Sequence, residues 1–486
     1  MFVTSVIVYF QSGSSYIIMA SKAKNPRISP GEELDTHNGS AKANGVKRKM
    51  EKQHYSKDES VLLRGKLIGR ATQLHYPENP LKITYACGQY MYDEEGRKYL
   101  DCMNNVAHVG HCHPHVVKAG QYQMEKLETN SRFVHDELLI YAKRLTSLLP
   151  KKLSVCFLVC TGTEANDLAL RLARTYTKHN DVIVLDRAYH GHSTAMIDIS
   201  PYKFKKLHSK QEFVHVCPCP DTYRGLHRGN DEAHLSSLYV NEFAKIVNDA
   251  EQDGRGIAAF YAESLQSCGG QIIYPSGFLA SAFKQTRKHG GVCISDEVQV
   301  GFGRVGKAFW GFQIHGVEPD IVTIGKPMGN GHPVSAVVTT QEIADAFEKT
   351  NVAYFNTFGG NPVSCSIANA VLDVIEDEDL QQHAKNLGDY WIQRLNELKD
   401  LYPVIGDVRG VGLFIGIELV KDRVDREPAA EEAKKIVYKM RENGVLISAD
   451  GPDENVLKIK PPMVIKQEDV DHFMNVFEKV FKELLV

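Results

Sequence analysis

Short apolar segments alternate with amphipathic stretches through the middle of the chain. Six segments are rich in Val, Ile, Ala or Phe and have strand length: 154–159, 181–186, 257–263, 291–297, 320–325 and 334–340. Helical patterns separate several of them. In 164–178 one helical face carries Ala165, Leu168, Ala169, Leu172 and Tyr176. Buried strands that alternate with helices predict an α/β fold with a mainly parallel sheet.

The regions on either side of this core have different patterns. Amphipathic helices are predicted within 363–400 and 429–486, around apolar strands, which indicates a smaller α+β domain. Within the first 58 residues, the stretch from Ser21 to Gln53 is polar and lacks a periodic apolar face, as in a disordered arm. The predicted organisation is an arm (1–58), an N-terminal segment of the small domain (59–110), a large domain (111–350) and a C-terminal small domain (351–486).

Composition and charge narrow the classes of partner. The chain has 486 residues, of which 43% are hydrophobic and 24% charged, enough for a large core. Its formal net charge of −3 does not indicate binding to nucleic acid or to an anionic membrane, and no apolar run has the length of a bilayer span. We therefore predict neither a nucleic-acid partner nor a membrane partner.

The start of the chain leaves two questions open. Translation can begin at Met1 or at Met19, and the apolar N-terminus has no positive segment typical of a secretory signal. The Lys, Arg and Ser residues of the arm are compatible with a mitochondrial transit peptide. Glu32, Glu33 and Asp35 argue against one, because transit peptides are poor in acidic residues.

In parallel sheets, ligands bind beyond the carboxyl ends of the strands. We therefore expect reactive side chains directly after the predicted strands. The first strand leads into Thr161-Gly162-Thr163-Glu164, which has capping-box spacing. Such a helix start suits a phosphate group, although an ordinary capped helix is the alternative. The later strands deliver, in order, Tyr189 and His190, Glu263, Asp296 and Gln299, and Lys326.

One cofactor uses all of these groups, namely pyridoxal phosphate. Its aldehyde requires a lysine amine for a Schiff base, and its pyridine nitrogen requires a carboxylate to stay protonated. Its phosphate requires backbone donors, and its flat ring accepts a stacked aromatic side chain. The order of the strands therefore predicts a pyridoxal phosphate site.

The run "ISDEVQVGFGRVGKAFWGFQIHGVEPDIVTIGKPMGNGHPVSAVV" resembles the signature of class III (ornithine/GABA-type) aminotransferases. The resemblance extends over about 60–480 and includes "CTGTEANDLALRLAR" and "NTFGGNPVSC". It implies fold type I, with a seven-stranded type of sheet, and a homodimer or dimer of dimers with active sites at the interface. It also favours a mitochondrial location, with the cytoplasm as the alternative.

The resemblance implies a role for each matching residue. Lys326 would be the Schiff-base lysine, and Asp296 would pair with the ring nitrogen. Gln299 would contact the ring hydroxyl, and Tyr189 would stack on the ring. The remaining implied cofactor contacts are Gly162 and Thr163 for the phosphate, Thr357 for the neighbouring subunit's phosphate, and His190 and Glu263 near the ring.

Within the class, the chain resembles phospho-lyases that act on phosphoethanolamine or 5-phosphohydroxylysine, through motifs such as "NNVAHVGHCHP" and "PDTYRG". Class III sites typically pair a glutamate with an arginine that holds a carboxylate, whereas Cys268 and Lys458 stand at those positions here. Lysine offers a point charge instead of a bidentate fork. Lys458 and Lys460 are two apart on a predicted strand, and we predict that one or both of them hold the substrate phosphate together with Arg132. Solvated surface lysines are the alternative.

These features predict a lyase that releases phosphate from an amino-phosphate, with phosphoethanolamine favoured and phosphohydroxylysine next. The substrate class is thus an amine phosphate or an amino acid. The alternatives are an aminotransferase of the alanine–glyoxylate type and a scaffold that binds the cofactor without catalysis.

Two motifs suggest other chemistry. Gly301, Gly303 and Gly306 spell a dinucleotide-binding fingerprint, but no clear helix start follows and Asp320 precedes its strand. We interpret these glycines as a turn. The stretch "HVGHCHPH" lacks the spaced ligand pairs of structural zinc sites, so we predict no metal site.

Overall fold

The computed structural model describes residues 55–485 except 131, 206, 208 and 209. The chain forms two compact units, Met1–Arg64 and Gly65–Val486. In the first unit the described residues are 55–64, where helix α1 (Lys57–Leu67) begins. The predicted arm therefore lies almost entirely outside the described residues, and the domain boundaries stay predictions.

The remaining elements all lie in the second unit. The strands are β1 (Ile83–Cys87), β2 (Tyr90–Asp93), β3 (Lys98–Asp101), β4 (Leu153–Val159), β5 (Asp181–Leu185), β6 (Val214–Cys217), β7 (Ile257–Glu263), β8 (Val292–Asp296), β9 (Ile321–Ile324), β10 (Ser335–Thr340), β11 (Ile405–Val411), β12 (Phe414–Leu419), β13 (Val445–Leu446), β14 (Ser448–Asp450) and β15 (Val456–Ile459). The helices are α2 (Pro114–Lys126), α3 (Asp136–Ser147), α4 (Gly162–Thr177), α5 (Thr194–Asp198), α6 (Pro201–Phe204), α7 (Glu232–Gln252), α8 (Phe278–Lys288), α9 (Gln341–Glu348), α10 (Pro362–Asp377), α11 (Leu380–Leu401), α12 (Ala430–Glu442) and α13 (Gln467–Leu485). Short 3₁₀ helices occur at Gly311–His315 and Lys326–Gly329.

A mixed sheet with the order β4-β10-β9-β8-β7-β5-β6 lies at the centre of this unit, and it has seven strands within the described residues. Strands β9, β8, β7, β5 and β6 are parallel, whereas β10 is antiparallel to both neighbours. All residues of β5, β7, β8 and β9 are buried, because elements cover both faces of the sheet. The predicted α/β fold is confirmed. The sequence pattern missed β6, a strand of only four residues.

Helix α4 packs against this sheet through the predicted apolar face. Ala165, Leu168, Ala169 and Leu172 are at most 3% exposed. Tyr176 was predicted on the same face but is 40% exposed, because it lies in the last turn, where the helix leaves the sheet edge. The hydrophobic contacts therefore fix the N-terminal part of α4 against the sheet.

Two smaller sheets are formed by strands that precede and follow those of the central sheet. One has the order β1-β2-β3-β13, in which β13 pairs with β3 in parallel. The other is antiparallel, with the order β11-β12-β15-β14. The pairing of β13 with β3 joins 59–110 to the C-terminal region, and the assignment of 59–110 to a small domain stays a prediction. None of the helices in the described part of the chain has the length and hydropathy needed to cross a membrane.

The glycine loop is a series of turns, as interpreted from the sequence. Phe302, Gly303 and Gly306 have φ angles of 62°, 77° and 69°. A Cβ atom at Gly306 would lie 2.5 Å from the Cα of Lys385, so a side chain does not fit there. Asp320 lies at the amino-terminal end of β9, where it forms ion pairs with Lys152 and Arg287. The fingerprint therefore has no dinucleotide-binding geometry.

The four histidines of the stretch 108–115 each pair with a different group. Their ring nitrogens pair as follows: His108 with the Phe302 carbonyl, His111 with Asp101, His113 with Glu378, and His115 with Asp373. Within the described residues, no group of three or more potential ligands is placed to hold a metal ion.

Candidate active site

The carboxyl ends of β7, β8 and β9 meet at one edge of the central sheet. The register pairs Glu263 with Asp296, and Asp296 with Thr323. Lys326 follows β9 after Gly325 and begins a 3₁₀ helix. The parallel register therefore brings three of the predicted groups to the same edge.

Asp296 is held by groups from a helix and a loop. Its Oδ2 accepts hydrogen bonds from Asn166 Nδ2 at 2.8 Å and from His190 Nδ1 at 2.9 Å. Its Oδ1 accepts from the Val298 backbone N–H at 3.1 Å. The residue is 3% exposed. A carboxylate oxygen accepts more than one hydrogen bond, so Oδ1 can still accept one from a protonated ring nitrogen.

His190 contributes a second polar atom to this region. The residue is 2% exposed, and its Nε2 is buried without a hydrogen-bond partner among the described residues. Buried polar atoms are usually paired. An unpartnered nitrogen beside Asp296 is consistent with a site that receives a further polar group.

The amine of Lys326 lies among acidic and basic groups. Burial lowers its pKa, while the neighbouring Cys268 and Asp296 act in the opposite direction. The net direction is downward, which increases the fraction of neutral amine. A neutral lysine amine can attack a carbonyl carbon or accept a proton.

The start of α4 has the predicted capping box. Thr161 Oγ1 accepts from the Glu164 backbone N–H at 3.1 Å, and the Glu164 carboxylate accepts from the Thr161 N–H at 3.3 Å. The first N–H groups of a helix have no acceptor within the helix, and here they belong to Gly162 and Thr163. A Cβ atom at Gly162 would lie 2.9 Å from Val298 Cγ1. The close packing requires glycine, and the helix start fits a phosphate group.

Glu263 fixes two loops at the same sheet edge. Its Oε1 accepts from the Tyr189 backbone N–H at 3.2 Å, and its Oε2 accepts from the Ser267 N–H at 2.9 Å. The pKa of Glu263 is raised to about 7. Burial is the main cause, the His190 ring lowers the pKa, and the Asp296 carboxylate raises it. The Tyr189 ring contacts Tyr202 edge-on, with centroids 6.4 Å apart. The main chain of the predicted stacking residue is thus positioned by a buried carboxyl group.

Lys460 lies inside the protein, with 1% of its surface exposed. Its Nζ donates to Ser267 Oγ at 2.7 Å and to Gln299 Oε1 at 2.8 Å. Gln299 Oε1 also accepts from Asn105 Nδ2 at 2.8 Å. Burial lowers the pKa of Lys460 well below its ordinary value, and the nearby cations of Lys458 and Lys326 add to this. The alternative of a solvated surface lysine is therefore wrong for Lys460.

Lys458 is also partly buried but has an acidic partner. Its Nζ forms an ion pair with Asp450 Oδ2, and Asp450 Oδ1 accepts from the Tyr202 hydroxyl at 2.8 Å. Burial lowers the pKa of Lys458, but Asp450 outweighs this and the net direction is upward. The charge of Lys458 is also among the causes that lower the pKa of Lys326.

Arg132 and Thr357 are placed differently from the groups above. Both are exposed. The Arg132 guanidinium lies over the Phe355 ring, 4.8 Å from its centroid. Among the described residues, neither side chain forms a hydrogen bond to the strand-end groups. Their predicted contacts with ligands stay predictions.

Sequence reasoning missed several polar residues of the site, namely Asn166, Tyr202, Ser267 and Asp450. Asn166 had a detectable signal, because it interrupts the apolar side of a helix and is 1% exposed. The others lie on separate segments, and no local pattern marks them.

A family model described as "Aminotransferase class-III" matches residues 72–481. The alanine–glyoxylate aminotransferase 2-like protein of Drosophila melanogaster is 56% identical over 424 residues, covering 86% of each chain. The ethanolamine-phosphate phospho-lyase homolog 1 of Caenorhabditis elegans is 46% identical over 439 residues, covering 87% of this chain and 93% of that protein. The human mitochondrial alanine–glyoxylate aminotransferase 2 is 37% identical over 432 residues, covering 84% and 83%.

Solved structures show the same fold. A phospholyase from Arthrobacter in complex with phosphoethanolamine has a TM-score of 0.83 and 37% identity, covering 87% of this chain and all of that chain. An amine transaminase from an uncultivated Pseudomonas species in the PLP-bound form has a TM-score of 0.78 and 28% identity, covering 86% and 98%. Pyridoxal phosphate is thus the cofactor of this enzyme, and the residues described above fit it. The chain belongs to the class III aminotransferase family.

Proposed function

We propose that the enzyme eliminates phosphate from an amino-phosphate and yields an aldehyde, ammonia and inorganic phosphate. Phosphoethanolamine is the favoured substrate, and 5-phosphohydroxylysine is next. The observation that carries the proposal is the pair of enclosed lysines, Lys458 and Lys460, whose charges act on Lys326. Two cations near a reactive amine fit a substrate with an amine at one end and a phosphate at the other. The phosphoethanolamine complex of the similar Arthrobacter phospholyase supports this choice.

When bound, pyridoxal phosphate supplies a ring that takes up the electrons of a broken C–H bond. Asp296, fixed by Asn166 and His190, holds a proton at the ring nitrogen. Lys326 Nζ removes the proton from the substrate carbon that bears nitrogen. A carbon–carbon double bond then forms as the neighbouring C–O bond breaks and phosphate leaves. Water hydrolyses the resulting enamine to aldehyde and ammonia.

The same proton removal also begins amino transfer, the alternative reaction. Elimination differs in having a leaving group on the adjacent carbon. Phosphate leaves readily, and Lys458 and Lys460 stabilise the negative charge that develops on it. Two similar relatives carry aminotransferase names, which keeps amino transfer as the second candidate function.

The other cofactor contacts are proposed by residue type and position. Gln299 would hold the ring hydroxyl of the bound cofactor, and its Nε2 lies 3.9 Å from Cys268 Sγ, a long contact with sulfur. Tyr189 stacks on the ring, and the N–H groups of Gly162 and Thr163 bind the phosphate. His190 and Glu263 complete the surroundings of the ring.

A homodimer or dimer of dimers is proposed, in which Thr357 contacts the phosphate of the neighbouring subunit. Exposed apolar side chains support this, because large exposed patches often mark interfaces. They are Val117, Tyr122, Met124, Leu127, Phe133, Val134, Leu139, Ile140, Val352, Phe355 and Phe358. Analytical ultracentrifugation should show at least a dimer. A monomer that retains full activity would contradict this assembly.

The deciding experiment incubates the purified protein with phosphoethanolamine, with 5-phosphohydroxylysine, and with alanine plus glyoxylate. Phosphate, ammonia and keto acid are measured in each case. We expect phosphate and ammonia in equal amounts from an amino-phosphate. Keto-acid turnover without phosphate release would favour the aminotransferase, and no reaction with a bound cofactor would favour a non-catalytic scaffold.

The proposed phosphate contacts are tested separately. Lys458→Ala, Lys460→Ala and Arg132→Ala should each raise KM for phosphoethanolamine. Unchanged kinetics in both lysine variants would reject the phosphate-binding role of these lysines. Lys349→Ala, which changes an exposed lysine of the same chain, is the matched control.

A mitochondrial location is proposed from the name of the human relative, and the cytoplasm is the alternative. A fluorescent protein fused to residues 1–58 tests this, with fusions that start at Met1 and at Met19. Diffuse fluorescence from both fusions would favour the cytoplasm.

A further inference from the structure

The two lysines of the proposed substrate end have different partners. Lys460 Nζ binds the neutral oxygens of Ser267 and Gln299. Lys458 Nζ binds the carboxylate of Asp450. Both lysines are enclosed, so water screens neither charge strongly. Lys460 therefore has no acidic partner that competes with a bound anion, whereas Lys458 and Asp450 largely cancel each other. Burial and the neighbouring lysines lower the pKa of Lys460, and a phosphate dianion beside its amine would favour the protonated form.

The position of Asp450 is fixed by strand geometry. Lys458 on β15 pairs with Ser448 on β14, and Asp450 lies two residues further along β14. Residues two apart on a strand point to the same face, so Asp450 and Lys458 form a diagonal cross-strand pair. The Tyr202 hydroxyl holds the second carboxylate oxygen at 2.8 Å, and the Tyr202 ring contacts Tyr189. Asp450 is 8% exposed, so its carboxylate is largely enclosed together with its two partners.

We infer that Lys460 anchors the substrate phosphate and that Asp450, through Lys458, weakens phosphate binding enough for the product to leave. The inference rests on the proposed function, since it concerns the phosphate of an amino-phosphate. Two unopposed lysines would attract a dianion strongly, both in the substrate and in the released inorganic phosphate. The Asp450 carboxylate repels that dianion and competes with it for the Lys458 ammonium group.

The experiment measures the dissociation constant of inorganic phosphate for the holoenzyme by calorimetry. Asp450→Asn keeps the shape and the Tyr202 acceptor but removes the charge. We expect it to tighten phosphate binding by about fivefold or more, and to lower KM for phosphoethanolamine in parallel. If Asp450 served only to position Lys458, Asp450→Asn would instead weaken phosphate binding and raise KM for phosphoethanolamine. Unchanged or weaker binding in Asp450→Asn overturns the inference.

Two further variants separate the roles of the lysines. Lys460→Met should weaken phosphate binding by about 30-fold or more, because the unopposed cation is lost. The double variant Lys458→Met/Asp450→Asn removes an opposed pair and should bind phosphate within about threefold of the wild type. If Asp450→Asn does not fold, this double variant decides the question. A loss as large as that of Lys460→Met would overturn the assigned roles.

Asp453→Asn is the matched control, because Asp453 is exposed on the turn between β14 and β15. It should leave phosphate binding unchanged, and an effect equal to that of Asp450→Asn would overturn the inference. Phosphate release from phosphoethanolamine by the wild type tests the proposed function independently. Normal release with unchanged binding in Asp450→Asn rejects only the role of Asp450. Absence of release rejects the lyase, while calorimetry still decides how the two lysines bind phosphate.

Discussion

The cofactor end and the substrate end of the site are built in different ways. At the cofactor end, Glu263, Asp296 and Lys326 follow adjacent strands, so the register of one sheet sets their spacing. At the substrate end, Lys460 is held by side chains from separate segments. The register of the sheet therefore sets the groups proposed to contact the cofactor, and side-chain hydrogen bonds place the lysine proposed to bind the substrate phosphate. Relatives with lyase and aminotransferase names fit this division, since one scaffold can serve both reactions.

The largest effect is expected at the cofactor end, from Lys326→Ala. The variant loses the amine proposed to remove the substrate proton, so kcat should fall by more than about 10³-fold. Phosphate release from phosphoethanolamine measures this, together with the visible absorbance of the bound cofactor, which should shift. Lys349→Ala should behave as the wild type. Substantial residual turnover in Lys326→Ala would show that the reactive amine is elsewhere.

The next effect is expected from Asp296→Asn, which keeps the shape of the side chain and removes its charge. Without the carboxylate, the ring nitrogen no longer holds its proton, and kcat should fall by about 10²- to 10³-fold. The affinity for the cofactor, measured by fluorescence titration of the apoenzyme, should fall as well. If kcat of Asp296→Asn stayed within about twofold of the wild type, the carboxylate would have no electronic role.

The same contrast explains what the sequence could predict. The six predicted strands and their terminal residues were found because periodicity and strand order are local signals, and strand ends of a parallel sheet share one edge. The neutral partners of Lys460 and the pairing of Lys458 with Asp450 were not found. These contacts depend on the packing of distant segments, which no spacing along the chain records. Strand β6 was missed for a different reason, since four residues carry too little periodicity.

A smaller effect is expected from Asn166→Ala. This variant tests whether packing without the Asn166 hydrogen bonds keeps Asp296 and His190 in place. Asn166 donates to Asp296 Oδ2 and to the His190 carbonyl, and its Oδ1 accepts from Thr323 Oγ1 at 2.7 Å. Its loss removes one hydrogen bond from each of these three buried groups, although Asp296 Oδ2 keeps the bond from His190 Nδ1. The free energy of unfolding should fall by about 2–4 kcal/mol and kcat by about tenfold. Urea denaturation and steady-state kinetics measure both. A change in stability with normal kcat would assign Asn166 a structural role only.

The smallest effect is a change in how stability depends on pH, from Glu297→Gln. Glu297 follows Asp296 but accepts from the backbone N–H groups of Gly311 and Phe312, at 2.7 Å and 3.0 Å. Burial raises its pKa from 4.5 to about 7, against the effect of these hydrogen bonds. The folded state then holds a proton that the unfolded state has lost. Stability from this group is present below pH 4.5 and falls as the pH rises to about 7, by at most about 1.4 kcal/mol per pH unit.

Glu263 has a pKa raised in the same direction, so the wild type should show the combined slope of two groups. Glu297→Gln should remove one of them, which urea denaturation at several values between pH 4.5 and 7 would show as a flatter decline. Glu348→Gln, which changes an exposed carboxylate, should keep the wild-type slope. Equal slopes in the wild type and Glu297→Gln would mean that Glu297 is already ionised throughout this range, with its backbone hydrogen bonds outweighing burial. Glu263 and Glu297 would then differ in their protonation over this pH range, just as Lys458 and Lys460 differ in the charge of their partners.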